Sequence, residues 1–199
     1  MDKSLSRFLE SIDCNNSSIR YKDSGGDKTF FNACADKLNE LNVITILDIC
    51  CGKGGPFVDI CRTKYNMNAY GIDPRVTTKD NLYAGTIENV ILNQNLLDNF
   101  KFDCISIQNT LHGKHWTDDE IIDILKFMKR FSKFIVISDP INNSNVNLNG
   151  FRGLGALNSL KWVDPKRFDP FPATILPLAL IIPDAVIFVK GWSILSAKM

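Results

Sequence analysis

A chain of 199 residues with 45% hydrophobic content is long enough for one domain with a sizeable core. Its formal net charge of +1 excludes a globally basic nucleic-acid binder or a polybasic membrane binder, although net charge hides how charge is distributed. The longest apolar run, 175–182, is interrupted by Pro177 and falls short of the ~20 residues that span a bilayer.

The first twenty residues are polar and lack an apolar signal core. The six cysteines, Cys14, Cys34, Cys50, Cys51, Cys61 and Cys104, show no zinc-site spacing. Most lie in apolar segments, where cysteine behaves as a small hydrophobe. Together these features predict a reducing, intracellular and cytoplasmic protein, with no metal and no membrane partner.

In chain order, residues 1–27 read as an N-terminal extension with a short helix carrying Leu5, Phe8, Leu9 and Ile12. Residues 30–41 have helical spacing, with Phe30, Phe31, Cys34, Leu38 and Leu41 on one side. A strand over 45–49 runs into glycines and then a helix from Pro56 to about Tyr65, with proline suited to the first turn. A second strand, 68–72, ends at Asp73-Pro74. Residues 75–88 are weakly patterned, and 89–92 read as a third strand.

A fourth strand covers 102–107. Thr117 and Glu120 form a capping box for a helix to Phe131, with Ile121, Ile122, Leu125, Phe127 and Met128 on its apolar side. A fifth strand covers 134–138. Residues 140–175 read as substrate-side loops. Two final strands, 185–189 and 192–197, are joined by Lys190-Gly191, a hairpin signal. Alternating strands and helices predict a single α/β domain with a mainly parallel sheet and an antiparallel edge.

The stretch Ile44-Thr45-Ile46-Leu47-Asp48-Ile49-Cys50-Cys51-Gly52-Lys53-Gly54-Gly55 is a buried-strand pattern running into a glycine turn. Such a turn lets the backbone bend sharply and a ligand approach closely. Asp73, at the end of the second strand, is placed to accept hydrogen bonds from the hydroxyls of a ribose. The turn is not G-x-G-x-x-G, so it is a poor dinucleotide fingerprint.

Asp48 to Gly55 resembles motif I of class I S-adenosylmethionine-dependent methyltransferases, usually D/E-x-G-x-G-x-G. Gly52 and Gly54 match its later glycines, and Cys50 stands where the first would be. A positive φ there would strain a cysteine. Gly71-Ile72-Asp73 resembles motif II, whose acid holds the cofactor ribose. Asn95, after the expected third strand, corresponds to a family residue that reaches the adenine amine, and Phe102-Asp103-Cys104-Ile105 resembles the start of motif IV.

The resemblance covers about 30–199. It implies a Rossmann-like fold with a mainly parallel seven-stranded sheet and an antiparallel C-terminal hairpin. It also implies S-adenosyl-L-methionine as cofactor, held by Asp48, Cys50, Gly52, Lys53, Gly54, Asp73, Asn95 and Gln108.

Two RNA-directed subfamilies compete for the acceptor. Phe31 to Leu41 resembles the helix of FtsJ-like RNA ribose 2′-O-methyltransferases, with Lys37 at their first catalytic lysine. A lysine there can lower the pKa of a hydroxyl and steady an oxyanion. The rest of that family's Lys-Asp-Lys-Glu tetrad is not visible. Gly52-Lys53-Gly54-Gly55 and the run from Phe102 through Gln108 to His112 resemble cap guanine-N7 methyltransferases, whose acceptor needs no general base.

His112, His115 and Trp116 follow the fourth strand. The segment 161–168 mixes cations with aromatics in a way that suits single-stranded RNA. RNA, through capping and mRNA processing, is therefore the leading acceptor. A small-molecule acceptor and a catalytically inactive methyltransferase-like scaffold are the alternatives.

Overall fold

The structure, a computed structural model, describes residues 2–12, 28–108, 110, 117–138, 188–189 and 193–194. Its elements in order are α1 (Lys3–Ile12), α2 (Lys28–Glu40), β1 (Thr45–Ile49), α3 (Pro56–Tyr65), β2 (Asn68–Ile72), β3 (Leu82–Tyr83) and α4 (Ile87–Asn93). A 3₁₀ turn (Gln94–Leu97), β4 (Phe102–Gln108), α5 (Asp118–Phe131) and β5 (Ser132–Ser138) follow. Five strands form one parallel sheet in the order β3-β2-β1-β4-β5, an α/β architecture compatible with a Rossmann-like fold.

The strands alternate their side chains between two apolar layers, as the pleat requires. Leu47, Ile49, Ile72, Ile105 and Ile107 pack against α1, α4 and α5. Ile46, Ala69, Cys104 and Val136 pack against α2 and α3. The N-terminal helix belongs to this core: Leu5, Phe8, Leu9 and Ile12 are buried, and Phe8 stacks on Phe127 of α5 at 6.3 Å between centroids. Among the described side chains of α5 the buried ones are Ile124, Leu125, Phe127, Met128 and Phe131. The expected Thr117–Glu120 capping box is formed in both directions.

Two local expectations need correction. Residues 89–92 are not a strand but part of α4. Thr86 caps that helix, with Asn89 completing a capping box. Asparagine replaces the usual Glu or Gln of that motif, which disguises the helix start.

The third strand is instead Leu82–Tyr83, entered through a tight turn in which Asp80 and Asn81 have φ of 49° and 68°. Lys79 and Leu82 exchange backbone hydrogen bonds across it. Two positive φ values in succession make the I′ geometry that Asn and Asp tolerate.

Phe188–Val189 pairs antiparallel with Ser193–Ile194 as a separate two-stranded sheet (β6 and β7). Among the described residues the parallel sheet has five strands. The expected substrate-side loops, 140–175, with the segment 161–168, lie outside the described residues, as do His112, His115 and Trp116. Among the described residues no helix is long and apolar enough to cross a membrane.

Leu82 locks the glycine turn to the sheet. A Cβ added at Gly71 would lie 2.7 Å from Leu82 Cδ2, 2.7 Å from Cys51 Sγ and 3.0 Å from Val58 Cγ2. One added at Gly55 would lie 2.5 Å from Leu82 Cδ2. Leu82 thus fills the notch that two missing side chains leave. Gly71→Ala is expected to lower stability by about 1–3 kcal/mol through overpacking, measured by denaturant unfolding; an unchanged midpoint would mean that Leu82 and Cys51 shift at no cost.

Candidate functional site

The carboxyl ends of β1, β2 and β4 converge where the chain, having moved outward from β1 to β3, returns to the other side of β1. Open α/β sheets bind ligands at such a switch point. The residues gathered there are Asp48 from β1, the turn 50–55, Asp73 just after β2, and Gln108 at the end of β4.

The turn is held in an unusual backbone shape. Cys50, Gly52, Gly54 and Gly55 have φ of 59°, 76°, 86° and 56°. Cys50, a residue with a Cβ, thus has the positive φ that stores strain. A non-glycine residue in this region costs roughly 1–2 kcal/mol. The Cys51 amide donates to the Ile72 carbonyl at 3.1 Å, and the Gly55 amide to the Gly52 carbonyl at 3.1 Å. Cβ atoms added at Gly52 or Gly54 would meet nothing within 4 Å. Backbone is therefore open to close approach there, which fits a ligand cradle. Lys53 is exposed between them.

Asp73 is 1% exposed. Its Oδ2 accepts the Gly52 amide at 3.0 Å and Arg75 Nη2 at 2.9 Å. Its Oδ1 accepts the Arg75 amide at 2.9 Å and Arg75 Nε at 2.8 Å. Pro74 has no N–H, so Arg75 is the first residue able to fold back on the acid. The Val76 amide closes the turn onto the Asp73 carbonyl at 3.3 Å. The weakly patterned stretch gave no prominence to Arg75; the signal was an arginine two residues beyond an acid, across a proline.

Asp48 faces the α2–α3 layer and is 2% exposed. Ser106 lies opposite it in register, and the Ser106 hydroxyl donates to Asp48 Oδ1. Burial pushes the Asp48 carboxyl up to about 7; Ser106 and the nearby Gln108 amide pull against this, and the charge of Asp73 adds to it. Gln108 is 7% exposed; its amide lies close enough to Asp48 to pull that carboxyl's pKa down, but neither its Nε2 nor its Oε1 makes a hydrogen bond of full geometry among the described residues. A buried amide so incompletely satisfied is costly, which makes Gln108 a candidate ligand contact.

Two expected residues lie elsewhere. Lys37 sits in the last turn of α2 and pairs with Glu40 at 2.7 Å. Only residues 41–44 link α2 to β1, so this turn is held at the amino edge of the sheet, opposite the glycine turn. Asn95 is exposed in the 3₁₀ turn after α4, not at a strand end, because the third strand lies earlier than expected. Asp103, within the motif IV resemblance, has a structural role. It accepts the amides of Ile44 and Thr45 at 2.9 Å each and the Thr45 hydroxyl at 3.0 Å, stapling β1 to β4 at that same amino edge.

Burial pushes the thiols of Cys34, Cys50, Cys51, Cys61 and Cys104 up, which disfavours thiolate chemistry. Among the described residues no group of three or more His, Cys, Asp or Glu is arranged to hold a metal ion.

The raised Asp48 pKa has a definite consequence for stability. The native state keeps this proton to about pH 7, whereas an unfolded aspartate loses it near 3.9. Stability therefore falls as pH rises between these values and is level above them. Asp48→Asn retains an acceptor for Ser106 without a charge. Its stability advantage over wild type is expected to grow from near zero at pH 4 to roughly 3–4 kcal/mol at pH 8, read from denaturant unfolding across pH. A gap that does not widen would show that Asp48 ionises in the fold without penalty. No protein-family model and no curated protein sequence matches this chain.

Proposed function

We propose that the chain is a class I methyltransferase that binds S-adenosyl-L-methionine at the turn 50–55, with RNA as the leading acceptor and a small molecule as the nearest alternative. In its finer form the reading includes a seven-stranded sheet completed by the C-terminal hairpin. The observation that carries it is the positive-φ turn, open at Gly52 and Gly54 and tied to a buried acid at the end of the neighbouring strand.

In this reading the backbone of 50–55 cradles the amino-acid end of the cofactor. Asp73 accepts the ribose hydroxyls, and Gln108, whose amide lies by Asp48, offers a further polar contact. The bound cofactor supplies a methyl group on a sulfonium, already electrophilic. The protein's contribution is to hold an acceptor in line with that group and to exclude water, and positioning of this kind supplies much of the acceleration.

Lys37 bears on the choice between RNA acceptors. It pairs with Glu40 at the sheet's amino edge, so the reading does not rely on it as a base. That favours guanine N7, which needs none, over a ribose hydroxyl. The filled acceptor positions of Asp73 favour a second reading, a methyltransferase-like scaffold that binds no cofactor.

Titration calorimetry separates these readings: wild-type protein is expected to bind S-adenosylmethionine, and folded protein that does not bind it refutes the enzyme reading. Asp73→Ala is expected to weaken binding by about 10- to 100-fold, the worth of hydrogen bonds to a charged acceptor; unchanged affinity would remove Asp73 from the ribose site. Transfer of labelled methyl to capped RNA, uncapped RNA and a metabolite pool identifies the acceptor class. Lys37→Ala is expected to leave that transfer unaltered, and a loss of turnover in folded protein would restore Lys37 as catalytic.

A further inference from the structure

Asp73 is unusual for an acid expected to greet a ligand, because its carboxylate is already complete. The Arg75 amide and Nε fill one oxygen, and Arg75 Nη2 and the Gly52 amide fill the other. A carboxylate offers about four acceptor positions, and all four are in use. The pair is sheltered, with side-chain exposures of 17% for Arg75 and 2% for Asp73, so water screens it weakly.

We propose, building on the cofactor reading above, that Arg75 is a specificity-determining gate on the ribose subsite. The vicinal hydroxyls of a ribose are donors and need the same carboxylate positions that the guanidinium fork holds. The hydroxyls and the fork cannot both be satisfied. A ligand with an intact 2′,3′-diol displaces the fork and recovers those hydrogen bonds at Asp73. A ligand without the diol cannot displace it and gains nothing from Asp73. Gly52, whose amide stays on Oδ2, keeps the turn in register while Arg75 swings.

Arg75→Lys is the informative variant. It keeps a positive charge beside the buried acid, yet an ammonium on a flexible stem cannot grip both oxygens as a planar fork does. Calorimetry is expected to show Arg75→Lys binding S-adenosylhomocysteine at least fivefold more tightly than wild type. An analogue lacking both ribose hydroxyls is expected to bind the two proteins equally. Equal or weaker binding of S-adenosylhomocysteine by folded Arg75→Lys, or the same gain for the analogue, overturns the gate while leaving the cofactor reading in place. Absence of binding to both proteins overturns the gate and the cofactor reading together.

Should Arg75→Lys fail to fold, the wild-type chain supplies the answer. The Arg75 Nε–H resonance is expected to shift on saturation with S-adenosylhomocysteine as the fork leaves Asp73, and a resonance that does not move overturns the proposal.

Discussion

The hydrogen bond from the Gly52 amide to Asp73 Oδ2 joins two pieces of chain that the sheet alone would leave independent. β1 ends at Ile49 and β2 at Ile72, and their ladder stops there. Beyond that point the turn carries four residues at positive φ, one of them a cysteine. Such a backbone persists only where its surroundings over-determine it. Here they do so from three sides: the Cys51 amide on Ile72, the Gly52 amide on Asp73, and Leu82 seated between Gly55 and Gly71. Much of the turn's shape is thus imposed by β2 and β3.

The same sheet edge buries two carboxylates and treats them differently. Asp73 is surrounded by a guanidinium and two backbone amides, donors that stabilise a charge. Asp48 has one hydroxyl and an amide nearby, too little to offset its burial, and its proton is retained to near neutrality. A charged acid and a largely neutral one on adjacent strands reduce the repulsion that two buried anions would suffer. The neutral acid also offers a donor, which an ionised carboxylate does not.

What could be read from the residues divides along physical lines. β1, α3, β2, β4 and the capped start of α5 were legible because each has a long period or an unambiguous punctuation mark, such as Pro56 or the Thr117–Glu120 box. β3 was not, because two residues carry no period and the Asp80-Asn81 turn that creates it lies in a polar stretch. Its misplacement carried Asn95 with it. On α5 the buried stripe also takes in Ile124 and Phe131, which the expected side left out. The strain at Cys50 was legible from a residue type at a position. The Ser106 contact with Asp48 depends on strand register, and the Arg75 clasp depends on a turn, and neither is written in spacing alone. The placement of Lys37 was not legible either, because it follows from the shortness of 41–44, which fixes the edge its helix turn occupies.

The stacking of Phe8 on Phe127 gives the first helix an odd position in time. α1 is made early, but the aromatic ring it rests on belongs to a helix synthesised after four of the five sheet strands. At about 5–20 residues per second, the interval on a ribosome is on the order of ten seconds. Most of the surface that covers Leu5, Leu9 and Ile12 is made sooner, by β3, α4 and the 3₁₀ turn, and throughout the interval Phe8 lacks only its stacking partner. The apolar stripe of α1 is therefore covered in two stages, first by the middle of the chain and last, at Phe8, by α5.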